Sequence, residues 1–246
     1  RRERLVAVTN GIDYQTWDPA RDPHLIANFG PDNLAPKRLC SDQARQLMGL
    51  SPGNGRPLAC FIGRLVDRRG MDLLASGLET ILEMGLDLAV MGYGEDRYHA
   101  LLQDLRRRNP ERLGVFVGYE MEMAHQLMAG SDLLLMPSRY EPCGLHQLHA
   151  MRYGTVPVVR ATGGLEDTVV DQLPDQPGNG FKFVNYELPS FLEALLRALE
   201  TYRQPELWRE VMLRGMAQDY SWDKATPAYE EIYQRARAFG QAQADA

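Results

Sequence analysis

The chain has 246 residues, a net charge of −6 at pH 7 and a pI near 5.4, enough length for one large domain or two small ones with a sizeable core. Apolar residues make up 44% and charged residues 24%, which excludes a disordered chain. The acidic balance argues against nucleic acid or an anionic membrane as main partner, since both require a basic face, and no apolar run approaches the roughly 20 residues that cross a bilayer.

The sequence opens at Arg1 with no initiator Met and no signal peptide, which reads as a piece of something longer. Residues 5–8 are expected to form a strand ending in a Thr9-Asn10-Gly11 turn. The stretch 13–36, rich in Pro, Asp and Asn, reads as a long irregular segment, and 41–47 as a helix capped by Ser41. From there short β-rich runs alternate with longer amphipathic ones. Strands are expected at 58–62, 86–91, 115–117, 133–136, 156–159 and 181–184, mostly continuous apolar runs of the kind covered on both faces. Helices are expected near 71–84, 95–108, 121–130, 145–153 and 189–202. In the first, Leu73, Leu74, Leu78, Ile81 and Leu82 recur at three- and four-residue spacings and make one apolar stripe. Two further helices are expected at 205–216 and 222–238, with the tail after Phe239 frayed. Tyr229, Ile232 and Tyr233 give the last helix an apolar stripe that needs a partner. Regular alternation of strand and helix implies right-handed crossovers, hence a doubly wound α/β domain with a mostly parallel, Rossmann-like sheet. Cys40, Cys60 and Cys143 are too scattered for a disulfide framework and favour a reducing compartment.

In open α/β sheets ligands bind beyond the carboxyl ends of the strands, near the point where strand order reverses. Four loops that follow expected strands are therefore weighed. Gly63-Arg64-Leu65-Val66-Asp67-Arg68-Arg69-Gly70 puts three arginines at the entrance to a helix, either a phosphate clamp or a solvated charged loop. Gly92-Tyr93-Gly94-Glu95-Asp96-Arg97 matches only part of a dinucleotide fingerprint and reads as a tight turn. Gly118-Tyr119-Glu120 offers an aromatic that either stacks on a planar base or packs locally. Pro137-Ser138-Arg139-Tyr140-Glu141-Pro142-Cys143-Gly144-Leu145 is the most informative. Gly144 opens a helix whose amides face an anion, and Glu141, which would repel a phosphate, suits a sugar hydroxyl or a capping role. Cys143 reads as a small packing residue, with no histidine in an obvious base position.

His146 and His149 stand three apart, but no third ligand completes a metal site, and no Asp-x-Asp pair is present to hold a metal-bound diphosphate. His24, His99 and His125 read as surface or half-buried residues without a role.

Together these loops resemble the glycogen and starch synthases, retaining glycosyltransferases of the two-domain GT-B fold. The matching stretches are Asn10-Gly11-Ile12-Asp13, Gly63-Arg64-Leu65 through Gly70, Gly118-Tyr119 with the Ala124-His125 helix, and above all the run 132–169. The resemblance covers about residues 5–235 and corresponds to the family's C-terminal half. It implies a nucleotide-sugar domain over 1–220 and a final helix over 221–246 that crosses to an absent N-terminal domain.

The resemblance further implies ADP-glucose as donor, an α-1,4-glucan as acceptor, no cofactor or metal, and a bacterial cytoplasm or plastid stroma. In that picture Arg64 and Arg69 hold the leaving diphosphate, and Glu141 holds a glucose hydroxyl. Tyr119 stacks on the base, the amides of Gly144 and Leu145 meet the distal phosphate, and Asn10 and Cys143 complete the pocket. Two positions depart from the pattern: the family usually has Lys where this chain has Arg69, and a hydroxyl residue where it has His146. His146 is expected to donate a ring N–H to the distal phosphate. The competing readings are another GT-B sugar-nucleotide enzyme, a non-catalytic nucleotide- or glucan-binding module, and a dinucleotide oxidoreductase, the last disfavoured by the partial glycine motif.

Overall fold

The computed structural model describes residues 6–53 and 55–244, with backbone only at 240 and 242–244. Its centre is a six-stranded sheet, every pair parallel, of β1 (Leu58–Ile62), β2 (Asp87–Gly92), β3 (Leu113–Val117), β4 (Leu133–Met136), β5 (Val156–Arg160) and β6 (Phe181–Phe183). The order across the sheet is β3-β2-β1-β4-β5-β6, so the winding direction reverses between β1 and β4.

The continuous apolar runs become strands because both faces of the sheet are covered. Along β1, Ala59 and Phe61 face one core while Leu58, Cys60 and Ile62 face the other. Leu133 and Leu135 of β4 share the first core, and Leu134 and Met136 the second. The first core is closed by α2 (Met71–Glu83), α3 (Asp96–Arg108), α7 (Leu188–Tyr202) and α8 (Pro205–Met216). The second is closed by α1 (Lys37–Met48), α4 (Met121–Gly130), α5 (His146–Arg152) and the short α6 (Gly164–Thr168). The stripe expected on 71–84 is the buried face of α2. A last helix, α9 (Trp222–Ala244), runs along the outside with no buried residue among its described side chains.

Four expectations are corrected. Residues 6–8 form no strand and Leu5 lies outside the described residues; past the turn, Ile12 makes a bridge with Ser221, just before α9. Ser41 caps nothing, because α1 begins four residues earlier behind Pro36, where Lys37 buries its ammonium on the carbonyls of Ala129 and Tyr153 and on Thr155 Oγ1. β6 stops at Phe183, leaving Val184 exposed. The tail after Phe239 stays helical to Ala244, carried by the good helix formers Gln and Ala. The irregular stretch 13–36 is a chain of turns, as expected.

The candidate site at the sheet reversal

The loops after β1 and β4 meet over the reversal point. Arg139 donates its backbone N–H to Arg68 O at 3.0 Å, joining the two loops directly. Gly70, at φ +80°, lets α2 start against this seam: a Cβ there would lie 2.0 Å from Pro137 O. The first loop turns through a 3₁₀ segment, Asp67–Arg69, and this places Arg69 beneath the second loop. The Arg69 guanidinium contacts the Glu141 carboxylate, which is 5% exposed.

The arginines crowd one another. Burial, then the charges of Arg68 and Arg64, lower the affinity of Arg69 for its proton. Arg64 is exposed, its guanidinium 5.9 Å from the Tyr93 ring, while Arg139 pairs with Asp72 at 2.9 Å and lies 4.4 Å over Tyr186. Like charges gathered where, among the described residues, Glu141 alone pairs with Arg69 favour an anion in the space above.

The second loop is braced from within. Gln147 Nε2 donates to Cys143 O at 2.9 Å, Gly144 O at 3.0 Å and Thr168 Oγ1 at 3.2 Å. Gly144 takes a φ of +71°, and Gly164 N donates to Glu141 O at 3.1 Å. Gln147 escapes a reading by motif; its signal was a Gln three residues past a helix-opening glycine. Cys143 is half-buried and its Sγ accepts from Asn10 N at 3.4 Å, while Asn10 Oδ1 accepts from Tyr229 Oη of α9 at 2.6 Å. Leu145 is exposed at the entrance to α5. The structure thus brings together Arg64, Arg69, Glu141, Cys143, Gly144, Leu145 and His146, with Asn10 joined through Cys143. Tyr119 stands apart, 42% exposed at the carboxyl end of β3.

The partial glycine fingerprint is a packing device. A Cβ at Gly92 would sit 1.8 Å from Gly63 O and one at Gly94 2.3 Å from Leu65 O, because the loop after β1 runs alongside this turn.

Behind the second loop lies a stack that the sequence hides. Trp17 is sandwiched between His125 and His149, with ring centroids at 3.8 and 3.9 Å. His125 is not a surface residue: it is fully buried, with Nδ1 2.7 Å from Asp22 Oδ2, which also accepts from Tyr153 Oη at 2.5 Å. Burial works to raise the Asp22 pKa, but the hydrogen bonds from His125 and Tyr153 prevail and lower it. Its partners come from the irregular segment, about a hundred residues away in sequence, beyond the reach of any local pattern.

Burial and the nearby Arg69 push His146 down to about 4, and burial, His146 and His125 push His149 down to about 3. Both are neutral in the native chain at pH 7, whereas unfolded histidine titrates near pH 6.5. Below that value the unfolded chain binds more protons, so stability falls as pH drops from about 6.5 toward 4. Each histidine steepens the loss by up to ~1.4 kcal/mol per pH unit. His149→Phe keeps a flat ring against Trp17 and cannot protonate; thermal melts between pH 4 and 7 should show a shallower slope than the parent chain. An unchanged slope would remove His149 from this account.

Among the described residues no group of three or more His, Cys, Asp or Glu side chains is placed to hold a metal ion, and no helix is long and apolar enough to cross a membrane.

Comparison with known proteins gives a consistent pattern. The family description "Glycosyl transferases group 1" matches residues 48–211. A glycogen synthase of an Anaeromyxobacter species is 43% identical over 233 residues, 95% of this chain and 49% of that protein. A glycogen synthase of Halorhodospira halophila is 44% identical over 238 residues, 96% of this chain and 49% of that protein. The catalytic domain of Starch Synthase IV from Arabidopsis thaliana, bound to ADP and acarbose, superposes with a TM-score of 0.86 at 35% identity, covering 92% of this chain and 48% of that one. The chain therefore spans about half the length of the curated relatives it matches.

Proposed function

The chain belongs to the group 1 glycosyl transferases, and on that premise we propose that it is the donor-binding half of a retaining α-1,4-glucan synthase that moves glucose from ADP-glucose to the non-reducing end of glycogen or starch. The observation that carries the reading is the meeting of Arg64, Arg69 and Glu141 over the sheet reversal, one carboxylate beside a cation cluster at the carboxyl ends of β1 and β4. The similarity to an ADP-bound starch synthase domain supports the choice of nucleotide.

In this reading donor arrival exchanges partners. The diphosphate takes the guanidinium of Arg69 and a glucose hydroxyl takes the carboxylate of Glu141, so the ion pair of the free chain opens into the two ends of the ligand. Arg64 and Arg69 then face the charge that grows on the departing diphosphate, where preorganised donors lower the barrier most. The amides of Gly144 and Leu145, with the neutral ring N–H of His146, meet the distal phosphate. Tyr119 lies two strands from β1, roughly 10 Å across the sheet, a span that suits a base reached from the diphosphate. Asn10 and Cys143 wall the pocket. The reading needs no metal or other cofactor.

The acceptor glucan and further catalytic groups belong to the other half of the parent protein. A domain over 1–220 and a helix over 221–246 that docks on that other half fit the exposure of Tyr233 at 67% and Phe239 at 53% on α9. A bacterial cytoplasm or a plastid stroma goes with this function.

The test is thermal shift with ADP, UDP and NAD. A ligand at a hundred times its Kd adds about 2.7 kcal/mol, a rise of roughly 5–10 °C for a domain of this size. ADP is expected to give it, UDP less and NAD nothing, while the chain alone elongates no glucan. Silence with ADP, or glucan elongation by the chain alone, would sink the respective part of the reading. The Arg69–Glu141 pair also favours a second reading, a non-catalytic nucleotide-binding module. Arg69→Lys in the parent protein raises turnover if the site is merely tuned and leaves it absent if the site is dead.

A further inference from the structure

A cavity of about 690 Å³ lies at the opposite end of the sheet from the donor site. Arg56 just before β1 and Asp132 just before β4 border it, so it opens at the amino ends of the two strands that flank the reversal. A five-residue strand, roughly 16 Å long, separates it from Arg64 and Glu141. Its volume falls within the range of about 300–1,000 Å³ usual for small-molecule sites.

Its lining is electrically unlike the rest of this acidic chain, with five cationic side chains against two carboxylates. Arg45 and Arg56 are held by Asp87 at 2.6 and 2.9 Å, and Lys37 by three uncharged oxygens. Arg38 of α1 and Arg209 of α8, one on each helix bordering the cavity, have no ion pair or side-chain hydrogen bond among the described residues. Converging cations repel one another, and an anion seated among them removes that cost. The wall adds an apolar surface: Trp208 and Tyr202 pack edge to face with centroids 5.2 Å apart, and Met212 and Leu34 continue it. Cations on the rim and aromatic and apolar groups on the wall match a molecule with a charged end and an organic body.

We propose that this cavity is a second binding site, for a small phosphorylated organic molecule held by Arg38 and Arg209 against the Trp208–Tyr202 wall, separate from the donor site. It does not depend on the identity of the donor. Its occupant is recognised by phosphate chemistry, and a nucleotide and a hexose phosphate are the two sources to distinguish.

The three tryptophans of the chain allow both sites to be read in one experiment. Trp208 lines the second cavity, whereas Trp17 stacks on His149 behind the donor loop. The indole N–H signals of ¹⁵N-labelled protein, assigned with Trp208→Phe, are followed during titrations with inorganic pyrophosphate, AMP and a hexose phosphate. The expected result is a saturable shift of the Trp208 signal with at least one organic phosphate, retained in Arg64→Ala. In the Arg38→Gln/Arg209→Gln double variant the apparent affinity at Trp208 falls about a hundredfold, roughly tenfold per charged hydrogen bond removed. Both arginines are exposed, and an unchanged Trp17 signal in the double variant confirms that the fold is intact. A Trp208 signal that does not move with any of the three probes overturns the proposal. So does one that titrates identically in the double variant, or one that disappears with Arg64→Ala.

Discussion

Alanine at both Arg64 and Arg69 is expected to weaken ADP binding by about 10²–10⁴-fold, since each charged hydrogen bond to phosphate contributes ~1.5–3 kcal/mol. Isothermal titration checks the loss, and the single variants separate two effects. Arg64 is exposed and makes no ion pair among the described residues, so Arg64→Ala should cut affinity while leaving the melting temperature of the free chain in place. Arg69 is different, because its removal strands the buried Glu141 carboxylate without its cation. Arg69→Ala should therefore lose both affinity and stability, and adding Glu141→Gln should restore stability but not affinity. If Arg64→Ala and Arg69→Ala bound ADP as the parent chain does, the cation cluster would not be the diphosphate site.

This pairing shows which parts of the site were legible. The arginines and Glu141 stand in loops directly after apolar runs, and the rule that ligands gather at the carboxyl ends of parallel strands singles those loops out. The strands were legible for the same reason: runs such as Leu133 to Met136 have no polar face to offer water. What stayed hidden depends on partners remote in sequence. Ser41 is a better side-chain cap than Pro36, yet α1 starts at Lys37 because oxygens at positions 129, 153 and 155 receive its ammonium. His125 sits on a helix face that reads as ordinary, and only Trp17 and Asp22, from a stretch with no periodicity, explain its burial. Gln147 ties two carbonyls of the donor loop to the Thr168 hydroxyl of α6 and belongs to no motif.

The fold has its own concentrated dependence on one side chain, at the end of the sheet away from the donor site. Asp87 opens β2, is fully buried, and accepts from Arg45 at 2.6 Å, Arg56 at 2.9 Å and Arg112 at 3.1 Å. Those arginines come from α1, the approach to β1 and the approach to β3, so one carboxylate ties together the entry points of three neighbouring strands and a covering helix. Arg112 extends the clamp through Leu82 O and Leu86 O, both at 2.6 Å. Asp87→Ala leaves the Arg45 guanidinium, with a side chain only 3% exposed, as a buried charge without its ion-pair partner. The expected loss is about 3–5 kcal/mol, a large share of the ~5–15 kcal/mol that holds a domain folded. Asp87→Asn keeps acceptor geometry without the charge and should fall between the two. Urea unfolding measures both, and the fraction that remains folded should bind ADP with unchanged affinity, because the clamp lies a strand's length from Arg64. A loss below 1 kcal/mol for Asp87→Ala would mean that water replaces the carboxylate and that the three arginines reach solvent on their own.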